Sequence, residues 1–146
     1  MKRFIRFVCM TLVVSLFLAI PAYAETTVEL RESIFFASYG TDLYKASSTS
    51  FEIWFDVNAN ATWMDELGVS EIIVYRSSDQ QSWMEVLTFD MEDYPEMIDT
   101  YTVSHTGYVT VNYAIPGYYY RAYVFFYAKN SRGIGERDVY TEILRM

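Results

Sequence analysis

The chain of 146 residues carries 19 acidic against 11 basic side chains, a net charge of −8, with 52% hydrophobic and 18% aromatic residues. That composition excludes a disordered tail, a collagen-like repeat and a low-complexity segment, and the length holds one domain. The shortage of positive charge argues against a nucleic-acid partner, which is tracked through basic patches, and one His and one Cys leave little for a transition-metal site.

Residues Met1 to Ala24 have the pattern of a secretory signal peptide. Lys2, Arg3 and Arg6 form a positive start, an apolar run follows from Phe7 to Ile20, and Ala22-Tyr23-Ala24 places small residues where a signal peptidase cuts. The run is short for a bilayer span, so the expectation is a secreted, extracellular chain with no membrane segment after cleavage, its domain covering 25–146. Cys9 leaves with the signal, and the remainder must rely on its core rather than on disulfides.

Period-two patterning dominates the rest of the chain. An irregular strand is expected over Ile34 to Tyr39, and Phe51 to Val57 alternates cleanly. Thr62 is placed to cap a helical turn through Trp63 to Glu66 that Gly68 closes. Short β-rich runs cover Glu71 to Arg76 and Trp83 to Phe89, joined by the polar hairpin Ser77 to Ser82. The acidic loop Asp90 to Asp99 has Pro95 where a first helical position would lie, and His105 falls in a turn. Tyr108 to Tyr113 puts Val109, Val111 and Tyr113 on one face. After Ile115-Pro116-Gly117, a tight turn, Tyr118 to Lys129 is the longest strand. A glycine-bearing hairpin from Asn130 to Gly135 leads to a last strand over Val139 to Leu144. Seven short strands with turn chemistry between them predict an all-β fold, a single antiparallel β-sandwich from about Ser33 to Leu144. Its expected core is Phe51, Ile53, Phe55, Val57, Val109, Val111, Tyr120, Ala122, Val124 and Phe126. For Ile72 to Tyr75 both alternate sets are apolar, and the inward face stays open.

Pro116-Gly117-Tyr118-Tyr119-Tyr120-Arg121-Ala122-Tyr123-Val124 resembles a strand entry of fibronectin type III domains, in the wider immunoglobulin-like class. The resemblance puts Tyr120 at the corner tyrosine, whose hydroxyl bonds to nearby backbone. Val74 to Asp79 with Ser82-Trp83 resembles the central hairpin of bacterial members. Trp54 departs from the pattern, since it faces away from the apolar set. More loosely, Asp93 to Met97, His105 to Gly107 and Tyr120 to Ala128 are similar to small exported domains of Gram-positive bacteria. That similarity implies a fold and an export route and no chemistry.

The sharpest functional feature is the long strand's second face. One face carries Tyr118, Tyr120, Ala122, Val124, Phe126 and Ala128, and the other Tyr119, Arg121, Tyr123, Phe125, Tyr127 and Lys129. Rings interleaved with cations can stack on sugars or pack against a protein. They can equally be covered by neighbouring strands or by the segment from Glu25 to Lys45. Tyr119, Arg121, Tyr123, Phe125, Tyr127, Trp54 and Trp83 are therefore the candidate ligand-binding residues.

Five carboxylates in the loop 90–99 lack the spacing of an EF-hand and suit a solvated surface better than calcium. His105 has neither a cysteine nor a nucleophile elbow to serve, so no catalytic residue, no cofactor and no metal ligand is assigned. The expectation is a non-catalytic exported binding or adhesion module for a cell-surface glycan or protein. The alternative is a structural or assembly protein that buries its aromatic face in a homo-oligomer. A small enzyme or enzyme inhibitor ranks last, and the oligomeric state is not legible.

Overall fold

The computed structural model describes residues 34–60 and 62–146, and the segment Met1 to Ala24, expected as a signal peptide, lies outside the described residues. In chain order the strands are β1 (Phe36–Lys45), β2 (Phe51–Ala59), β3 (Met64–Ser77), β4 (Met84–Asp90), β5 (Ile98–Thr102), β6 (Ser104–Val111), β7 (Tyr119–Asn130), β8 (Gly133–Tyr140) and β9 (Leu144–Arg145). A 3-10 turn, Pro95–Met97, precedes β5, with Pro at its start as the sequence suggests. Among the described residues no helix is long and apolar enough to cross a membrane.

All pairings among the described residues are antiparallel, in two sheets. One runs β1-β2-β6, and the other β4-β3-β7-β8, with β5 also on β3 and β9 also on β7. The first half of β3 pairs β5 and the second half pairs β4, while β7 lies along its other edge from Glu66 to Ser77.

Alternation explains how the sheets meet. Phe51, Ile53, Phe55 and Val57 from the three-stranded sheet and Tyr120, Ala122, Val124 and Phe126 from the other are all buried, as are Val109 and Val111. These ten residues are the core expected from the sequence, and with Leu67, Val69, Ile72 and Val74 they belong to one cluster. Burial of Ile72 and Val74 settles the inward face of β3. Packing the apolar face of each sheet on the other removes both from water together.

Several boundaries differ from expectation. The first strand runs to Lys45 because its pairing with β2 continues that far, although an edge strand needs little apolar patterning. The helical turn expected at 62–68 is instead the start of β3, where Met64 and Leu67 are buried. Gly68 does not stop a helix there. A Cβ at this position would lie 2.1 Å from the carbonyl oxygen of Met97, so glycine admits the close approach of the 3-10 turn. Tyr113 does not join Val109 and Val111; β6 ends at Val111, and Tyr113 sits in left-handed backbone (φ 61°), 94% exposed. His105 lies in β6 opposite Val57 rather than in a turn. The last expected strand is two, β8 and β9. Between them Thr141 is buried, its N–H donating to the Ala122 carbonyl and its Oγ1 accepting from the Ala122 N–H, both at 2.9 Å.

Candidate functional site

The alternation of β7 places Tyr119, Arg121, Tyr123 and Phe125 on the outer face of the six-stranded sheet, all half-buried. Register then decides what covers them. Tyr75 of β3 lies opposite Arg121, and Tyr140 of β8 lies opposite Tyr123. The Arg121 guanidinium stands 4.3 Å from the Trp83 ring centroid and 4.6 Å from that of Tyr140, with Tyr75 at 5.7 Å. Its Nε is buried and has no hydrogen-bond partner. Tyr123 stacks on Tyr140 (centroids 4.2 Å apart, 16° between planes) and meets Phe125 edge-on at 4.6 Å.

The Tyr123 hydroxyl donates to Asp138 Oδ2. That bond, aided by desolvation and the negative charge of Asp138, pushes the Tyr123 phenol up to about 12. Burial raises the Tyr75 phenol as well, with Tyr140 and Glu85 adding to it.

Trp83 reaches this layer from the β3–β4 hairpin, which is held by side-chain to backbone bonds. The Asp79 carboxylate accepts from the Gln81 and Ser82 N–H groups and from the Ser77 hydroxyl, each at 2.9 Å. The Ser82 and Gln81 bonds, before that of Ser77, hold Asp79 below the usual carboxylate range. Gln80 takes the left-handed position (φ 63°), and its carbonyl accepts from Trp83 Nε1 at 3.1 Å.

The seven residues singled out by the sequence thus divide. Arg121, Tyr123, Phe125 and Trp83 come together. Tyr119 stands apart with Arg145 over its ring at 5.5 Å. Tyr127 is buried, beside the Lys129–Glu66 ion pair (2.9 Å). Burial raises its phenol ahead of Glu66. Trp54 lies on the outer face of the other sheet, stacked on Tyr108 (4.7 Å, 21°) and edge-on to Tyr44 (6.3 Å, 85°). Of the segment from Glu25 to Lys45, residues 25–33 lie outside the described residues and 36–45 form strand β1 of that other sheet; side chains from β3, the hairpin and β8 stand on the outer β7 face.

Sequence reasoning missed Tyr75 and Tyr140, whose parity relative to Arg121 was the available signal. It also missed Trp63 (69% exposed) and Tyr101 (76% exposed, φ 50°), which flank the Met64–Thr102 pair at one end of β3 and β5. His105 is tied to structure instead. Its Nε2 lies 3.1 Å from the Glu96 carbonyl oxygen and its ring 5.5 Å from that of Phe55. Among the described residues no three His, Cys, Asp or Glu side chains are grouped to hold a metal ion.

A scan against models of known protein families finds no match, and a search of curated proteins finds none either.

Proposed function

We propose that the protein is an exported, non-catalytic binding module, which holds a glycan or a protein against the outer face of the six-stranded sheet. The observation that carries this reading is Arg121, a half-buried cation set between the rings of Trp83 and Tyr140. A guanidinium can donate to hydroxyls or carboxylates, while the rings beside it offer apolar faces. Tyr140 keeps 47% of its surface exposed. Two antiparallel sheets, of three and six strands, and the Tyr120 hydroxyl bonded to the Ile115 N–H support a fibronectin type III or immunoglobulin-like kinship. The signal-like first segment supports export.

The test is retention of purified residues 25–146 on bacterial cell walls and insoluble polysaccharides, beside a Tyr123→Ala, Phe125→Ala double variant of verified folding. Retention of the native form alone makes the face a ligand site. Retention of both moves the site off this face, and retention of neither removes the glycan reading.

The second reading, self-association, is favoured by β4, an edge strand on which Met84, Val86 and Leu87 are exposed. Exposed apolar edges pair readily with another copy. Sedimentation that stays monomeric at all concentrations ends that reading.

A further inference from the structure

The outer face of the three-stranded sheet differs in charge from the other. Around Trp54 the outward positions, opposite in parity to buried Phe51, Ile53, Phe55 and Val109, hold Asp42, Tyr44, Glu52, Asp56, Tyr108 and Thr110. None is basic. Trp54 Nε1 donates to Glu52 Oε2 at 2.8 Å, which fixes the indole and leaves the second carboxylate oxygen outside that bond. The Tyr44 and Trp54 planes stand at 85°, and these two rings with Glu52 bound an open hollow of about 430 Å³.

The molecule supplies its own comparison. Every cation–ring contact found among the described residues is on Tyr75, Trp83, Tyr118, Tyr119 or Tyr140, and the cation is always an arginine of the chain. The six-stranded sheet thus fills its ring slots with its own cations. The Tyr44–Trp54 corner has ring walls and a carboxylate, and among the described residues no cation stands on those rings. Two ring faces at a right angle with an anion as third wall attract an organic cation through ring quadrupole and charge together. A neutral ligand draws on only part of that set.

We infer that the corner formed by Tyr44, Glu52 and Trp54 binds an alkylammonium head group, carried either by a small quaternary amine or by a lysine side chain of a partner. The site lies on the opposite sheet from the proposed ligand face and does not depend on it.

The test monitors the Trp54 indole N–H by NMR in the purified chain at constant ionic strength. Three probes are titrated: choline, Nα-acetyl-lysine amide, and 3,3-dimethylbutan-1-ol, the uncharged shape analogue of choline. Saturable shifts with Kd on the order of millimolar for one or both cations, and at least about tenfold weaker response to the alcohol, are expected. Preference for choline assigns a small quaternary amine, and preference for the lysine derivative assigns a protein partner. Glu52→Gln should weaken the cation about fivefold while leaving the alcohol unchanged. Tyr44→Leu should weaken it similarly and keeps the test open if Glu52→Gln fails to fold. No shift with either cation up to about 50 mM, or equal binding of the alcohol, overturns the inference.

Discussion

Tyr120 shows how much one side chain decides. Its ring packs on Phe51 across the core (5.0 Å, 51°), and its hydroxyl accepts from the Ile115 N–H at 2.8 Å. The turn Ile115-Pro116-Gly117 thereby becomes part of the strand it precedes, because a core ring holds its first backbone donor. Replacing Tyr120 by Phe keeps the packing and leaves that N–H without its acceptor, a loss of about 1–2 kcal/mol in urea unfolding with an unchanged m-value. A variant as stable as the native chain would mean that water replaces the hydroxyl without cost. The position was legible in sequence because Pro, Gly and the following Tyr lie within a few residues of one another. The partners of Arg121 were not. Tyr75, Trp83 and Tyr140 reach it across three different strands or turns, and which residues oppose one another depends on register.

At the scale of elements, the same division between local and non-local signals explains the strand boundaries. β2 alternates in its own sequence and needs no partner to be recognised. The first half of β3 contains Asp65, Glu66 and Gly68, poor strand formers, and becomes a strand because β5 and β7 both pair with it. β8 is written Gly-Ile-Gly-Glu-Arg-Asp-Val-Tyr, and its charges sit on a sheet edge where solvent takes one side.

The bond across the β7–β8 pair, Tyr123 to Asp138, gives that junction a pH signature. The folded phenol is pushed up to about 12, above the ordinary value of about 10 in an unfolded chain. The folded state therefore holds the proton more tightly. The stabilisation from this bond is complete below about pH 10 and is lost as pH rises through about 12. Stability measured across that window should fall more steeply for the native chain than for Tyr123→Phe. In Asp138→Asn, an ultraviolet titration should find Tyr123 ionising nearer the ordinary phenol range. Parallel pH profiles for the native chain and Tyr123→Phe would contradict the assignment.

Among the described residues, one core is shared by two sheets that share no ladder. Either sheet alone would expose an apolar face of five or more large side chains to water. Ile53 lies in the central strand of the three-stranded sheet and is fully buried. Ile53→Ala removes three carbon atoms and leaves a cavity between the layers, at a cost of about 2–5 kcal/mol. If the sheets form one cooperative unit, that loss must appear in both of them. Amide exchange of β7, in the other sheet, should then accelerate by the factor that free energy dictates, in step with exchange of β2. Trp54 reports on one outer face and Trp83 on the other, so fluorescence variants retaining either tryptophan should give coincident urea midpoints. Separate midpoints, or β7 protection that stays native while β2 loses its own, would mean that the strands divide into two folding units. The aromatic layer on the six-stranded sheet would then hold without the core beneath it, and its rings would be bound to one another more strongly than cross-strand pairs ordinarily are.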